Sequence, residues 1–376
     1  MLTRAAVLYD MQLPAPYAKS KPLVIEELTL ADPGPGEVLV EMAGAGLCHS
    51  DLSTIDGSRP RIMPMVMGHE ASGIVREVGQ GVHDLKPDDH VVFSFVPLCG
   101  HCLPCATGRP ALCEPGAAAN LAGTLLSGRR PFRNMSELEI NHHLGVSAFS
   151  EHTVVAQESL IKIDSQLPLS TAALFGCAVM TGVGAVVNTA KVEPGSSVAV
   201  FGLGGVGLST IMGARAAGAE TIFAIDLLPD KLELAASVGA THLINASDED
   251  PVALIKELLN GVDYAFESVG NERVLQQAYA ATKRGGTTIT IGLPHPGKMF
   301  SIPAVSLVAE ERTIKGSYMG SAVPRRDLPR FIAMYEAGLL PVDKLLTRTI
   351  QLDEINEAFD ALATGAAVRQ VITFEK

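Results

Sequence analysis

Four cysteines fall within fifteen positions: Cys99, Cys102, Cys105 and Cys113, at spacings x2, x2 and x7. Four thiolates so placed match a closed tetrahedral zinc site, structural because no position is left for a substrate. The rival chemistries are a redox dithiol or disulfides. His101 inside this lobe (97–115) could compete as a ligand or simply face solvent. Such a site carries net negative charge even with Zn2+ bound. Backbone N–H groups, and Arg109 as a further candidate, are expected to offset it.

The other two cysteines lie far apart. Cys48 stands in Gly46-Leu47-Cys48-His49-Ser50-Asp51, His69 follows twenty-one residues later in Met67-Gly68-His69-Glu70, and Cys177 stands in Phe175-Gly176-Cys177-Ala178. Each alone would be an ordinary packed side chain. Together, two thiolates and one imidazole hold Zn2+ at zero formal charge and leave a fourth position for water or substrate. The third candidate site is a glycine turn, in which Gly202, Gly204 and Gly207 stand at G-x-G-x-x-G spacing, with Gly205 and Val206 between. One glycine allows the turn, one a close approach to a pyrophosphate and one tight helix–strand packing. Asp226 ends the next strand pattern about 20 residues on, where a carboxylate accepts ribose hydroxyls and repels a 2′-phosphate. Leu227-Leu228-Pro229 supplies no Arg or Ser for that phosphate, which favours NAD over NADP. The competing reading is a βαβ unit that binds no nucleotide.

These residues need elements to hold them. The apolar run 198–201 reads as a strand feeding the glycine turn, 208–217 as a small-residue helix and 221–225 as a second strand. The alternation continues with a strand at 262–267, a helix at 273–282 and a strand at 287–292, so this half is a doubly wound α/β unit. Residues 1 to about 175 read as β-rich: 23–28 and 37–42 are strand-like and are split by the turn signal Asp32-Pro33-Gly34-Pro35-Gly36. Residues 313–319 read as an edge strand. A closing helix from Asp353 repeats Ile355, Ala358, Phe359 and Leu362 on one face.

A chain of 376 residues, 47% hydrophobic, is long enough for two cored domains. Its 29 Lys and Arg against 41 Asp and Glu give a net charge of −12. That balance argues against nucleic acid and anionic membranes as partners. The uncharged runs 171–190 and 195–214 are long enough to span a bilayer, but they are rich in glycine and small residues. The second is already strand, turn and helix. The first residues are charged too soon for a signal peptide, and cysteine spacing that suits metal points to a reducing cytoplasm.

Over nearly its whole length the chain resembles the zinc-dependent medium-chain alcohol dehydrogenases. The matching stretches are residues 46–51, Gly68-His69-Glu70, the lobe from Cys99 to Cys113, Gly176-Cys177, the glycine turn, and Arg369 in Val368-Arg369-Gln370-Val371. The resemblance implies a GroES-like, β-rich catalytic domain (1–178 and 322–376) interrupted by a Rossmann domain with a doubly wound parallel sheet (179–321). It implies two Zn2+ per subunit and NAD. Cys48, His69 and Cys177 would hold the catalytic zinc, with Glu70 able to visit the metal and Asp51 orienting the His69 ring. Thr181, Val206, Val269 and Leu293 would meet the cofactor, His49 and Arg369 its pyrophosphate, and Lys231 its adenosine ribose. Ser50 would relay the alcohol proton; its other reading is a helix N-cap. Liver-type relatives often carry a His three residues further, where this chain has Ser53, so the relay is expected to end on water. Phe95, Leu293 and Tyr318 would line a pocket for primary alcohols and aldehydes of moderate size, unless they are core. Residues 114–120 lack the base that glutathione-adduct relatives use, although Arg129, Arg130 and Arg133 offer another anionic handle. The edge strand and the long 113–177 segment fit the dimeric liver-type branch. The alternatives carried are a thiol-adduct (formaldehyde) dehydrogenase, a zinc-stabilised nucleotide-binding protein without catalysis, and a metal-free quinone reductase-like relative, a branch that lacks these ligands.

Overall fold

Residues 1–374 are described by the computed structural model. They divide into two units: Met1–Cys177 with Val323–Pro329 and the chain from Leu346 on, and Ala178–Ala322 with Arg330–Leu345. The expectation that 322–376 belongs whole to the first unit is corrected at 330–345. There Leu340, Val342 and Leu345 are buried, the turn Val342–Leu345 packs on the helix Gly205–Ala216, and Lys344 Nζ donates to the Ser237 carbonyl at 2.8 Å.

The first unit is β-rich. Leu2–Leu8, Leu23–Leu30, Phe132–Arg133, Glu139–His142 and Met65–Val66 close into a barrel. Leu2–Leu8 and Leu23–Leu30 pair antiparallel from Leu2↔Thr29 to Leu8↔Leu23. Ala5, Val7, Leu28, Leu30, Val66, Phe132 and Ile140 turn inward to one core, as period-two alternation requires. A seven-stranded sheet supports the reactive residues. In it Glu37–Gly46 pairs antiparallel with both Glu70–Val78 and Arg369–Thr373, aligning Gly46 with Glu70 and with Val371. Cys48, His69 and Arg369 each lie within two residues of these aligned positions, so sheet register brings them together. Gly176 brings in the third segment: a Cβ there would lie 2.7 Å from the Phe93 carbonyl oxygen, so only glycine lets Cys177 approach this close to the strand His90–Phe93.

The second unit is a six-stranded parallel sheet in the order His242–Asn245, Thr221–Asp226, Ser197–Phe201, Val262–Glu267, Thr282–Thr290, Thr313–Gly316. Numbered along the chain this is 3-2-1-4-5-6, whose switch point lies between Ser197–Phe201 and Val262–Glu267. Ala199, Phe201, Phe223, Ile225, Val262 and Ala265 from the strands meet Ile255, Ala278 and Ala281 from the helices in its core. The helix after the turn starts at Gly205, three residues earlier than the apolar pattern suggests. The edge strand is shorter than expected because Met319 and Gly320 take left-handed backbone conformations just beyond it. The run 171–190 is rich in small residues for packing: Gly182 and Gly213 let the helices Ala178–Gly184 and Gly205–Ala216 approach closely. Among the described residues no single helix is long and apolar enough to cross a membrane.

Candidate functional site

In the first unit one donor atom from each of Cys48, His69 and Cys177 lies within 4.8 Å of the others, and all three residues are buried. Cys48 caps the short helix His49–Ile55, and Asp51 in its first turn reaches back, Oδ2 accepting from the Cys48 N–H at 3.2 Å. The other Asp51 oxygen lies 2.9 Å from His69 Nδ1, which leaves Nε2 for the thiols. Burial opposes charge on His69, but Asp51 and Cys48 outweigh it and raise its pKa well above the ordinary value. Cys48 is held well below an ordinary thiol, first because Cys177 donates to it, then, against burial, by Arg369 and His69. Cys177 is pushed well above by that same bond and by burial. One of the two sulfurs is thus prepared as a thiolate, the form that binds metal. Soft sulfurs and an imidazole, sealed from water and three in number, fit Zn2+ with one position open.

Glu70 and Arg369 complete this floor. Burial raises the Glu70 carboxyl to about 7 against the pull of Arg369, and Arg369 Nε lies 3.5 Å from Glu70 Oε1. Arg369 is only 2% exposed, and its Nη1 donates to the Leu47 carbonyl at 3.4 Å. It therefore sits as counter-charge beneath the thiols and Glu70. Ser50 is not the helix N-cap, since Cys48 holds that position; it lies half-buried in the first turn. His49 is exposed. Ser53 spends its proton on the backbone, its Oγ donating to the His49 carbonyl at 2.8 Å. Phe95 packs edge-on to the His69 ring, centroids 5.6 Å apart.

His143 is a member of this cluster that spacing did not single out. Its Nδ1 lies 3.4 Å from Asp51 Oδ1, and its ring stands edge-on to His69 at 5.8 Å. Burial first, then His69 and Arg61, depress its pKa well below the ordinary value. The only sequence signal is the His142-His143 pair closing a strand; its partner Asp51 is ninety-two residues away.

In the lobe, the sulfurs of Cys99, Cys102, Cys105 and Cys113 all lie within 4.8 Å of one another, and all six cysteines of the chain are free, which removes the disulfide alternative. Backbone N–H groups supply the expected compensation: Cys99 and Gly116 donate to Cys113 Sγ, and Cys102 donates to Cys99 Sγ. Donation from the Cys105 and Glu114 N–H groups lowers the Cys102 thiol to about 6. Arg109 stands exposed, and His101 turns out to bond the Cys99 carbonyl at 2.7 Å.

In the second unit, Gly202 has φ +90°, and a Cβ on Gly207 would overlap the Gly202 carbonyl oxygen. Gly204 is the N-cap of the helix and offers no capping side chain, so the first N–H groups of Gly205, Val206 and Gly207 lack a helical acceptor and suit an anion. Asp226 staples this turn to the second strand: Oδ2 accepts from Leu203 N–H at 2.7 Å, Oδ1 from Leu227 and Leu228 at 2.8 and 3.1 Å. Lys231 is half-buried in the first turn of the helix Pro229–Ser237, and Thr181 is 8% exposed. Val269 lies against Gly202. Its loop is anchored by Glu267, also missed by sequence reading, whose Oε1 accepts from the Val269 and Gly270 N–H groups at 2.7 and 2.5 Å. Leu293 and Tyr318 are 50% and 38% exposed, which removes the core reading for both. The three arginines offered as anionic handles are occupied: Arg129 by Glu37, Arg130 by Asn141 and the Ala122 carbonyl, Arg133 by Glu139.

Residues 34–165 match a family model described as alcohol dehydrogenase GroES-like domain, and residues 205–337 match one described as zinc-binding dehydrogenase. An S-(hydroxymethyl)glutathione dehydrogenase of Photobacterium damsela subsp. piscicida is 41% identical over 379 residues, covering 100% of both chains. Among solved structures, benzyl alcohol dehydrogenase from Acinetobacter calcoaceticus matches with TM-score 0.93 at 33% identity, and an alcohol dehydrogenase zinc-binding domain protein from Burkholderia ambifaria with TM-score 0.94 at 35%, each covering 100% of both chains.

Proposed function

The chain belongs to the zinc-dependent medium-chain alcohol dehydrogenases, and from that premise we propose that it interconverts an uncharged primary or secondary alcohol and its aldehyde or ketone, with NAD as the hydride partner. The observation that carries this reading is the convergence of Cys48, His69 and Cys177 on one buried point with Asp51 behind the imidazole. Those three residues would hold the catalytic zinc, with Glu70 adjacent, and Cys99, Cys102, Cys105 and Cys113 a structural one, two per chain. Zinc held by Cys48, His69 and Cys177 would supply a Lewis acid able to lower the pKa of an alcohol oxygen. The cofactor supplies the hydride acceptor.

The chain's own residues do the rest. The Ser50 hydroxyl takes the alcohol proton; Ser53, already donating to His49, does not carry it further, and the relay ends on water. Within the second unit, Thr181, Val206 and Val269 would orient the nicotinamide, the N–H groups of the glycine turn would receive the pyrophosphate, and Asp226 and Lys231 would take the ribose. In the first unit Phe95, packed edge-on to His69, gives the alcohol an aromatic surface. The occupied Arg129, Arg130 and Arg133 support an uncharged substrate. A second reading, oxidation of a thiol adduct of formaldehyde, is favoured by the 41% identity to an S-(hydroxymethyl)glutathione dehydrogenase. The discriminating experiment is a panel of aliphatic and benzylic alcohols, and formaldehyde with and without glutathione, followed at the nicotinamide absorbance with NAD and NADP. Activity with formaldehyde only in the presence of glutathione would replace the first reading by the second.

The partner of this chain is a second copy. The edge strand Thr313–Gly316 has an open side, and Met299, Val305 and Val308 nearby in sequence are 82%, 72% and 81% exposed. Exposed apolar side chains and an open strand edge are both resolved by pairing. Six unpaired cysteines fit a reducing cytoplasm.

A further inference from the structure

Resting on the zinc reading of Cys48, His69 and Cys177, we propose that His143 is a positioning residue for that centre. The Asp51 oxygen that orients His69 also faces the Nδ1 of His143, so one buried carboxylate fixes two imidazoles.

Asp51 is 0% exposed, and its oxygens have no water to turn to. Oδ2 takes the Cys48 N–H at 3.2 Å, and Oδ1 faces His69 Nδ1 at 2.9 Å and His143 Nδ1 at 3.4 Å. The His143 Nδ1 is buried and makes no hydrogen bond of its own. A ring nitrogen whose lone pair faced a carboxylate would be repelled, so the Asp51 oxygen at 3.4 Å calls for a proton on His143 Nδ1. The 3.4 Å separation is longer than an ordinary hydrogen bond, and the contact is an N–H dipole directed at an anion.

The backbone holds His143 in place for this contact. The Ser147 hydroxyl accepts from the His143 N–H at 2.9 Å and donates to the Val66 carbonyl at 2.9 Å, and Val66 pairs with His142 across two strands. Val66 is three residues before His69, so His143 is tied to the segment that carries the ligand. The His69 ring is then enclosed by two perpendicular rings, Phe95 at 86° and His143 at 87°. A carboxylate held by one donor can swing about its side-chain torsion; held from residues 48, 69 and 143 it cannot. The consequence is a His69 whose Nε2 direction is fixed before the metal arrives.

The test uses three variants chosen by where they place a donor. His143→Asn puts an amide nitrogen near the Nδ1 position, His143→Gln puts one near Nε2, and His143→Phe keeps a ring without a donor. The first readout is the rate at which zinc passes to a chromogenic chelator, in the kinetic phase that a Cys48→Ala variant lacks. The second is the visible absorption of the Co2+-substituted protein. Removing an orienting partner typically costs 10- to 100-fold in metal affinity, so Phe and Gln are expected to release this zinc about that much faster and to shift the cobalt bands. Asn is expected to stay near wild type in both. If Phe and Asn behave alike, whether both unchanged or both equally impaired, the proposal is overturned. Should the Phe variant not fold, the Asn–Gln contrast decides in the same way. A wild type that holds a single zinc and shows no such phase would sink the zinc reading itself, and metal counting tells that failure apart.

Discussion

Replacing Asp226 by Asn is expected to erode the preference for NAD, and the structure sets the size of the effect. The carboxylate accepts three backbone N–H groups, one from the glycine turn and two from the chain after its own strand. An amide can keep the pair on one oxygen, Leu227 and Leu228, but then turns its NH2 toward the Leu203 N–H. That orphaned donor costs about 1–3 kcal/mol when buried, and the low end applies because Asp226 is only half-buried. Binding of the ribose hydroxyls weakens separately, since a hydrogen bond to a charged group contributes about 1.5–3 kcal/mol and one to a neutral group about half that. The two losses together raise the KM for NAD by roughly ten- to a hundredfold. NADP suffers the first loss but gains from removal of a negative charge beside its 2′-phosphate. The ratio of kcat/KM for NAD over NADP should therefore fall by at least about tenfold. Initial rates at varied cofactor and saturating alcohol measure it. An unchanged ratio, or a wild type that already uses both cofactors equally, would refute the reasoning.

Other outcomes follow from the same geometry. Gly207→Ala drives a methyl into the Gly202 carbonyl oxygen, which belongs to backbone and cannot swing aside; NADH binding by fluorescence titration should weaken at least tenfold, and wild-type affinity would contradict the close packing. Atomic absorption should find two zincs per chain, one lost in Cys48→Ala with activity, and one lost in Cys113→Ala with a fall in melting temperature. Ser50→Ala should cost about 10²-fold or more in kcat, the usual range for losing a positioned proton acceptor, while Ser53→Ala, whose hydroxyl serves only the His49 carbonyl, should change kcat little. Val305→Asp with Val308→Asp buries charge in the proposed dimer contact, and sedimentation should then give a monomer where the parent gives a dimer.

Elements governed by local rules could be read directly. Val262–Glu267 is a strand over the residues its apolar pattern marks, and the closing helix buries Ile355, Ala358, Phe359 and Leu362 as their spacing requires. What the pattern misplaced has a tertiary cause. The helix after the glycine turn begins at Gly205 because a glycine-flanked start needs no apolar side chain, and the strand from Thr313 stops at Gly316 because Met319 and Gly320 turn the chain. Residues 330–345 leave the first unit because Leu340, Val342 and Leu345 bury themselves against a helix more than a hundred residues earlier, which no local periodicity encodes.

The candidate site divides along the same line. Cysteine spacing singles out the lobe because its ligands are neighbours in sequence, and the glycine turn is legible because each glycine has a local steric reason. Cys48, His69 and Cys177 are suggestive only as residue types; register between Glu37–Gly46 and Glu70–Val78, and the close approach at Gly176, are what unite them. Arg369 is singled out in the sequence by the resemblance alone, which does not show its setting: it is 2% exposed and faces Glu70 and two sulfurs. A buried cluster of thiol, carboxylate and imidazole needs internal counter-charge before it can serve any exogenous ligand. Its guanidinium meets that need, and Asp51, shared between His69 and His143, meets the complementary need for a fixed anion. Removing either partner strands a buried charge, so Arg369→Leu is expected to destabilise the first unit by about 3–5 kcal/mol. Denaturant unfolding of the zinc-free protein can check this, since the effect does not depend on the cofactor; a variant of unchanged stability would mean that Glu70 is protonated and needs no partner.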